Sequence, residues 1–63
     1  MLGELRERKG MSQSDLAKAS DISVRTIQAY EQGARKLNGA SYDTLRKLSD
    51  ALGVSVDELV KEG

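Results

Sequence analysis

Glycine and serine punctuate this chain so regularly that they leave room for only one kind of architecture. Gly10, Gly33, Gly39 and Gly53 interrupt it, and Ser12, Ser23, Ser41 and Ser55 each stand just before a segment of helical spacing. A glycine that stops one helix and a serine that caps the next is the grammar of consecutive short helices. The spacing predicts five. The first runs from about Leu2 to Lys9, with Leu2 and Leu5 one turn apart and Gly10 free to close it. The second opens at Ser12, with Asp15 placed to complete a capping box, and extends to about Ala19 with Leu16 and Ala17 inward. The third follows Ser23 and ends near Gln32; the fourth follows Ser41 and carries Leu45, Leu48 and Leu52 up to Gly53. The last opens at Ser55, with Glu58 as the second half of a capping box and Leu59 as its inward anchor. No segment alternates with the period of two that marks a strand, so the expected class is all-α. The longest loop expected is Ala34 to Ala40, around the Asn38-Gly39 turn dipeptide.

Composition then excludes most chemistries. The 63 residues include no Cys, His, Pro or Trp, so Cys/His metal sites and His- or Cys-based nucleophilic catalysis have no residues to use. No metal, cofactor or enzymatic activity is expected, since five short helices leave little core in which to build a concave site. The apolar runs are far too short for a membrane span or a signal-peptide core. The reading is a single soluble, unprocessed domain over residues 1–63, suited by its lack of cysteine to the reducing cytoplasm. Net charge is zero, which is unusual for a nucleic-acid binder. It is unevenly spread: residues 1–47 hold nine Lys or Arg against six Asp or Glu, and residues 48–63 hold one against four.

Residues 13–32 read QSDLAKASDISVRTIQAYEQ. Two helices joined through Ser20, Asp21 and Ile22 must cross steeply, which requires a small residue at the crossing, Ala17, and a turn residue that tolerates positive φ. Ile22 and Ile27 fill the angle between them. This segment resembles the helix-turn-helix of the phage-repressor and Cro-like (XRE-type, lambda-repressor-like) family, and the resemblance covers essentially the whole chain. Glu31-Gln32-Gly33 is similar to the family's ending of helix 3, and Thr44-Leu45, Ala51-Leu52-Gly53-Val54-Ser55 and Asp57-Glu58-Leu59 are similar to its last two helices. The chain departs from the pattern in three places. Asp21 stands where the family usually has Gly, the loop after Gly33 is longer and lacks Pro, and helix 1 begins about one turn late, as in a chain trimmed at its N-terminus or one that starts where family members are already helical.

The resemblance implies a sequence-specific transcriptional regulator, expected to be a repressor, that binds double-stranded DNA with helix 3 in the major groove. It places Val24, Arg25, Gln28 and Ala29 toward base edges. Arg25 suits guanine, Gln28 adenine or a phosphate, and the two apolar residues a thymine methyl. Gln13, Thr26, Arg35 and Lys36 are implied as phosphate contacts, and Arg6 and Glu31 as an ion pair between helices 1 and 3. Core packing alone accounts for Leu16, Ala17, Ile22, Ile27, Leu45, Leu48, Leu52 and Leu59, and a solvated helix face would account for Arg25 and Gln28 anywhere else. One recognition helix reads few bases, so a homodimer on a two-fold site is expected, with Ala34 to Ala40 and helix 5, through Val56 and Val60, as the available contacts. Neutrality and the acidic last quarter also fit a different class, a protein-interaction module such as an antitoxin or a transcription bridging factor holding a protein partner.

Overall fold

Four serine hydroxyls set the starts of four of the helices. In the computed structural model, which describes residues 2–62, the helices are α1 (Leu2–Arg8), α2 (Gln13–Ser20), α3 (Val24–Glu31), α4 (Tyr42–Leu52) and α5 (Val56–Glu62). There is no strand among the described residues. The hydroxyl oxygen of Ser12 accepts from the Asp15 amide at 3.0 Å, Ser23 from Thr26 at 3.2 Å, Ser41 from Thr44 at 3.3 Å and Ser55 from Glu58 at 3.1 Å. The Ser12 box is complete, because the Ser12 amide donates to Asp15 Oδ2 at 3.0 Å. That backbone bond, seconded by the Ser12 side chain, holds the exposed Asp15 carboxyl below its usual range. Each cap contributes typically about 1 kcal/mol, a large share of the stability of a domain this small.

The turn between α2 and α3 depends on Asp21, which adopts φ 59°, ψ 32° and is the one non-glycine residue at positive φ among those described. An Asp tolerates this region better than most side chains but less well than Gly. Asp21→Gly is therefore expected to raise stability by about 1 kcal/mol, read as a higher urea midpoint with an unchanged slope.

The core is built from Leu2 and Leu5 of α1, Leu16 of α2, Ile27 and Tyr30 of α3, Leu45, Leu48 and Leu52 of α4, and Leu59 of α5. α2 packs on both α3 and α4, α4 on α5, and α1 lies against α3 and α5. Ala17 and Ile22 are half-buried at the α2–α3 crossing. Two expectations need correction. The segment Ala34 to Ala40 is not merely a loop: Leu37–Gly39 form a 3₁₀ turn that drives Leu37 into the core and packs against α5. Val56 and Val60, expected as open apolar residues, are partly buried against the same core.

Gly3 lies within α1, where Gly is normally unfavourable. A Cβ there would come within 3.1 Å of Glu31 Oε1, so the missing side chain lets α1 lie close against the end of α3.

Candidate nucleic-acid interface

The N-terminal turn of α3 is chemically unlike the others. α1, α2, α4 and α5 each carry an acidic residue in the first turn, Glu4, Asp15, Asp43 and the pair Asp57 and Glu58, where a negative charge satisfies the helix dipole. α3 has none and carries Arg25 there instead. Arg25 is exposed, while Val24, Thr26, Gln28 and Ala29 are half-buried on the flank of the helix and Ile27 and Tyr30 hold the inward face. The Thr26 hydroxyl lies 2.9 Å from that of Ser23, with either able to donate.

Behind this turn lies a connected polar network. Arg6 Nε donates to Glu31 Oε2 at 2.8 Å and Arg6 Nη2 to Glu31 Oε1 at 3.1 Å, while Nη1 donates to the Met11 carbonyl at 2.7 Å. The two side chains of the ion pair are only 13% and 11% exposed. Gln13 Nε2 donates to Glu31 Oε1 at 3.1 Å, and Gln28 Nε2 donates in turn to Gln13 Oε1 at 3.2 Å. The hydrogen bond from Arg6 outweighs burial and lowers the Glu31 carboxyl below its usual range, with Gln13 adding to the effect. The same bond raises Arg6. Glu31 is thus held within the protein by Arg6 and Gln13. Gln13 and Gln28 belong to the network as well as to the surface; their pairing joins the start of α2 to the middle of α3, which no local sequence signal announces.

Arg35 and Lys36 are exposed in the segment after α3, and the Arg35 amide donates to the Ala29 carbonyl at 3.2 Å. With Tyr30, Ser41 and Thr44 they line a shallow open cleft beside the start of α4. Arg35 and Lys36 thus bring two cations to one side of this cleft.

A family model described as helix-turn-helix matches residues 2–59. The chain belongs to the XRE/Cro-type helix-turn-helix family. No curated protein and no solved structure gives a significant match. The helix-turn-helix domain spans most of the chain, is all-α, and is a DNA-binding domain. Its motif is α2, the Asp21 turn and α3, and its departures from the usual pattern are accommodated locally: Asp21 takes the left-handed conformation of the expected Gly, and the longer segment after Gly33 folds as the 3₁₀ turn anchored by Leu37. Among the described residues no helix is long and apolar enough to cross a membrane, and no cluster of His, Cys, Asp or Glu could hold a metal ion.

Proposed function

We propose that this helix-turn-helix domain is a transcriptional repressor that reads the major groove with α3. The observation that carries the reading is the first turn of α3, which alone among the five α-helices lacks an acidic residue and offers Arg25 to solvent. Leaving a helix dipole uncompensated forgoes stability, and a polyanion at that end restores it. Arg25 reaches guanine O6 and N7, Gln28 presents its free amide edge to adenine, and Val24 and Ala29 meet thymine methyl groups.

Phosphates are held by Gln13, Thr26, Arg35 and Lys36. Gln13 spends one N–H on Glu31 and keeps the other, and Thr26 keeps its proton whenever Ser23 is the donor of their shared bond. Repression by steric exclusion needs no surface beyond the one that binds DNA. The protein acts without catalysis, in the cytoplasm where its DNA is.

The functional form is a homodimer, because one α3 supplies too few base contacts for a genome-sized search. Val56 and Val60 are partly buried, and Tyr42, 66% exposed at the start of α4, is the large exposed apolar side chain among the described residues and offers a further surface for the self-contact. Selection of sites from random DNA tests the reading: enrichment of a two-fold-related sequence supports it, and no enrichment sinks it. Arg25→Ala is expected to cost about 1 to 3 kcal/mol on the selected site and relax one base pair, while Arg35→Ala weakens all sequences alike. Arg35 and Lys36 from two subunits neutralise about four phosphates, for a log–log salt slope of roughly −4. A salt-insensitive complex with a protein would instead identify an interaction module.

A further inference from the structure

We infer that Glu31 sets which base Gln28 prefers, acting through the amide of Gln13. The inference rests on reading α3 as the DNA-facing helix and adds a positioning residue to it. An ionised carboxylate can only accept hydrogen bonds. Glu31 Oε1, 3.1 Å from Gln13 Nε2, therefore obliges Gln13 to turn its NH₂ group inward and its carbonyl toward Gln28. That carbonyl can only accept, so Gln28 must turn its own NH₂ group to it, as the 3.2 Å contact from Gln28 Nε2 to Gln13 Oε1 records. What remains on the outer edge of Gln28 is Oε1 and one N–H, an acceptor beside a donor. Adenine presents the complement in the major groove, an N6 donor beside the N7 acceptor, whereas guanine presents two acceptors. The negative charge at Glu31 is thereby converted, over two hydrogen bonds, into a choice between purines. Arg6 secures the first step, since its guanidinium keeps Glu31 ionised and fixed in place.

Glu31→Gln makes the relay reversible by a single atom. Arg6 donates to both carboxylate oxygens, at 2.8 Å to Oε2 and 3.1 Å to Oε1, so this variant gives up one of the two bonds; keeping the shorter one holds an oxygen at the Oε2 position and puts the new NH₂ group at the Oε1 position, facing Gln13. Gln13 must then turn its carbonyl inward and its NH₂ outward, and Gln28 must accept through Oε1, leaving its own NH₂ nitrogen outermost. A donor nitrogen in that place suits the O6 and N7 acceptors of guanine and opposes the N6 amino group of adenine.

The experiment is site selection from random double-stranded DNA with the wild-type protein and with Gln28→Ala, Glu31→Gln and Gln13→Leu, each checked by far-ultraviolet circular dichroism and thermal melting. The base pair that loses its preference in Gln28→Ala identifies the position read. At that position the wild type is expected to favour adenine over guanine by about 5- to 150-fold, and Glu31→Gln to favour guanine. Gln13→Leu, which cuts the relay and leaves the Arg6–Glu31 pair in place, is expected to lose the preference without reversing it. A folded Glu31→Gln variant that keeps adenine, or that merely loses preference, overturns the inference while leaving the DNA-binding reading intact. Should Glu31→Gln not fold, Gln13→Leu decides: retained adenine overturns the relay, and lost preference supports it. A wild-type protein that enriches no sequence overturns the DNA-binding reading and the relay with it.

Discussion

Replacing Glu31 by Ala is expected to cost about 3 to 5 kcal/mol, because it strands the Arg6 guanidinium in a site where its side chain is only 13% exposed. A domain of 63 residues has roughly 3 to 9 kcal/mol of stability in total, so the variant should be largely unfolded or melt close to ambient temperature. Gln13 also loses the acceptor for its amide. The comparison that isolates the stranded charge is the double variant Arg6→Met with Glu31→Leu. Apolar side chains of similar volume should recover much of the loss, since the ion pair repays little beyond its own desolvation. Urea melts of the wild type, single variant and double variant check both statements; a Glu31→Ala midpoint within experimental scatter of the wild type would mean the pair is solvated.

The same carboxylate fixes the direction of the acid response. Its folded-state pKa is lowered, chiefly by the hydrogen bond from Arg6, so its contribution is fully present above the unfolded value of about 4.3 and is lost as pH falls through the folded value. Wild-type stability should therefore fall below about pH 4, more steeply than that of the Arg6→Met, Glu31→Leu double variant, which lacks the group.

Leu48→Ala is expected to cost about 2 to 5 kcal/mol and to lower the melting temperature by roughly 10 °C or more. Leu48 is fully buried on α4, the helix that packs against both α2 and α5, so the cavity lies where no single element can relax to fill it. Calorimetry or a dichroism melt reads the shift directly. A drop of under about 1 kcal/mol would require the surrounding leucines to collapse into the space, which a core packed this closely resists.

The helices were legible because their signals are local. Ser12 and Asp15, Ser23 and Thr26, Ser41 and Thr44, and Ser55 and Glu58 are each three residues apart, so the cap forms between neighbours along the chain whatever the rest of the molecule does. Leu45, Leu48 and Leu52 share a helix face by spacing alone, and all three are buried. Leu37 carries no such local signal. It stands alone among Arg35, Lys36, Asn38 and Gly39, with no periodic partner to mark it as inward, and only the return of the chain over α5 gives it a core to enter. The depth of Val56 and Val60 is likewise invisible in residue order, because a seven-residue helix shows an apolar face without showing how far it will sink.

The candidate site divides along the same line. Arg25 in an acid-free first turn of α3, and the basic pair Arg35 and Lys36, can be read from order along the chain. The pairing of Arg6 with Glu31 spans 25 positions, that of Gln13 with Glu31 spans 18, and that of Gln28 with Gln13 spans 15. Over such separations the cost of closing the chain is borne by the packing of whole helices, not by the polar groups that end up touching. At Gly3 the backbone of α1 lies so near that a Cβ would stand 3.1 Å from Glu31 Oε1, a contact no reading of residue order reveals. Order along the chain therefore decided where each helix begins and which charges it carries, through interactions within one turn. Which atom of Gln28 faces outward was decided by the meeting of α1, α2 and α3, because the direction of a hydrogen bond belongs to the pair that forms it and not to either residue alone.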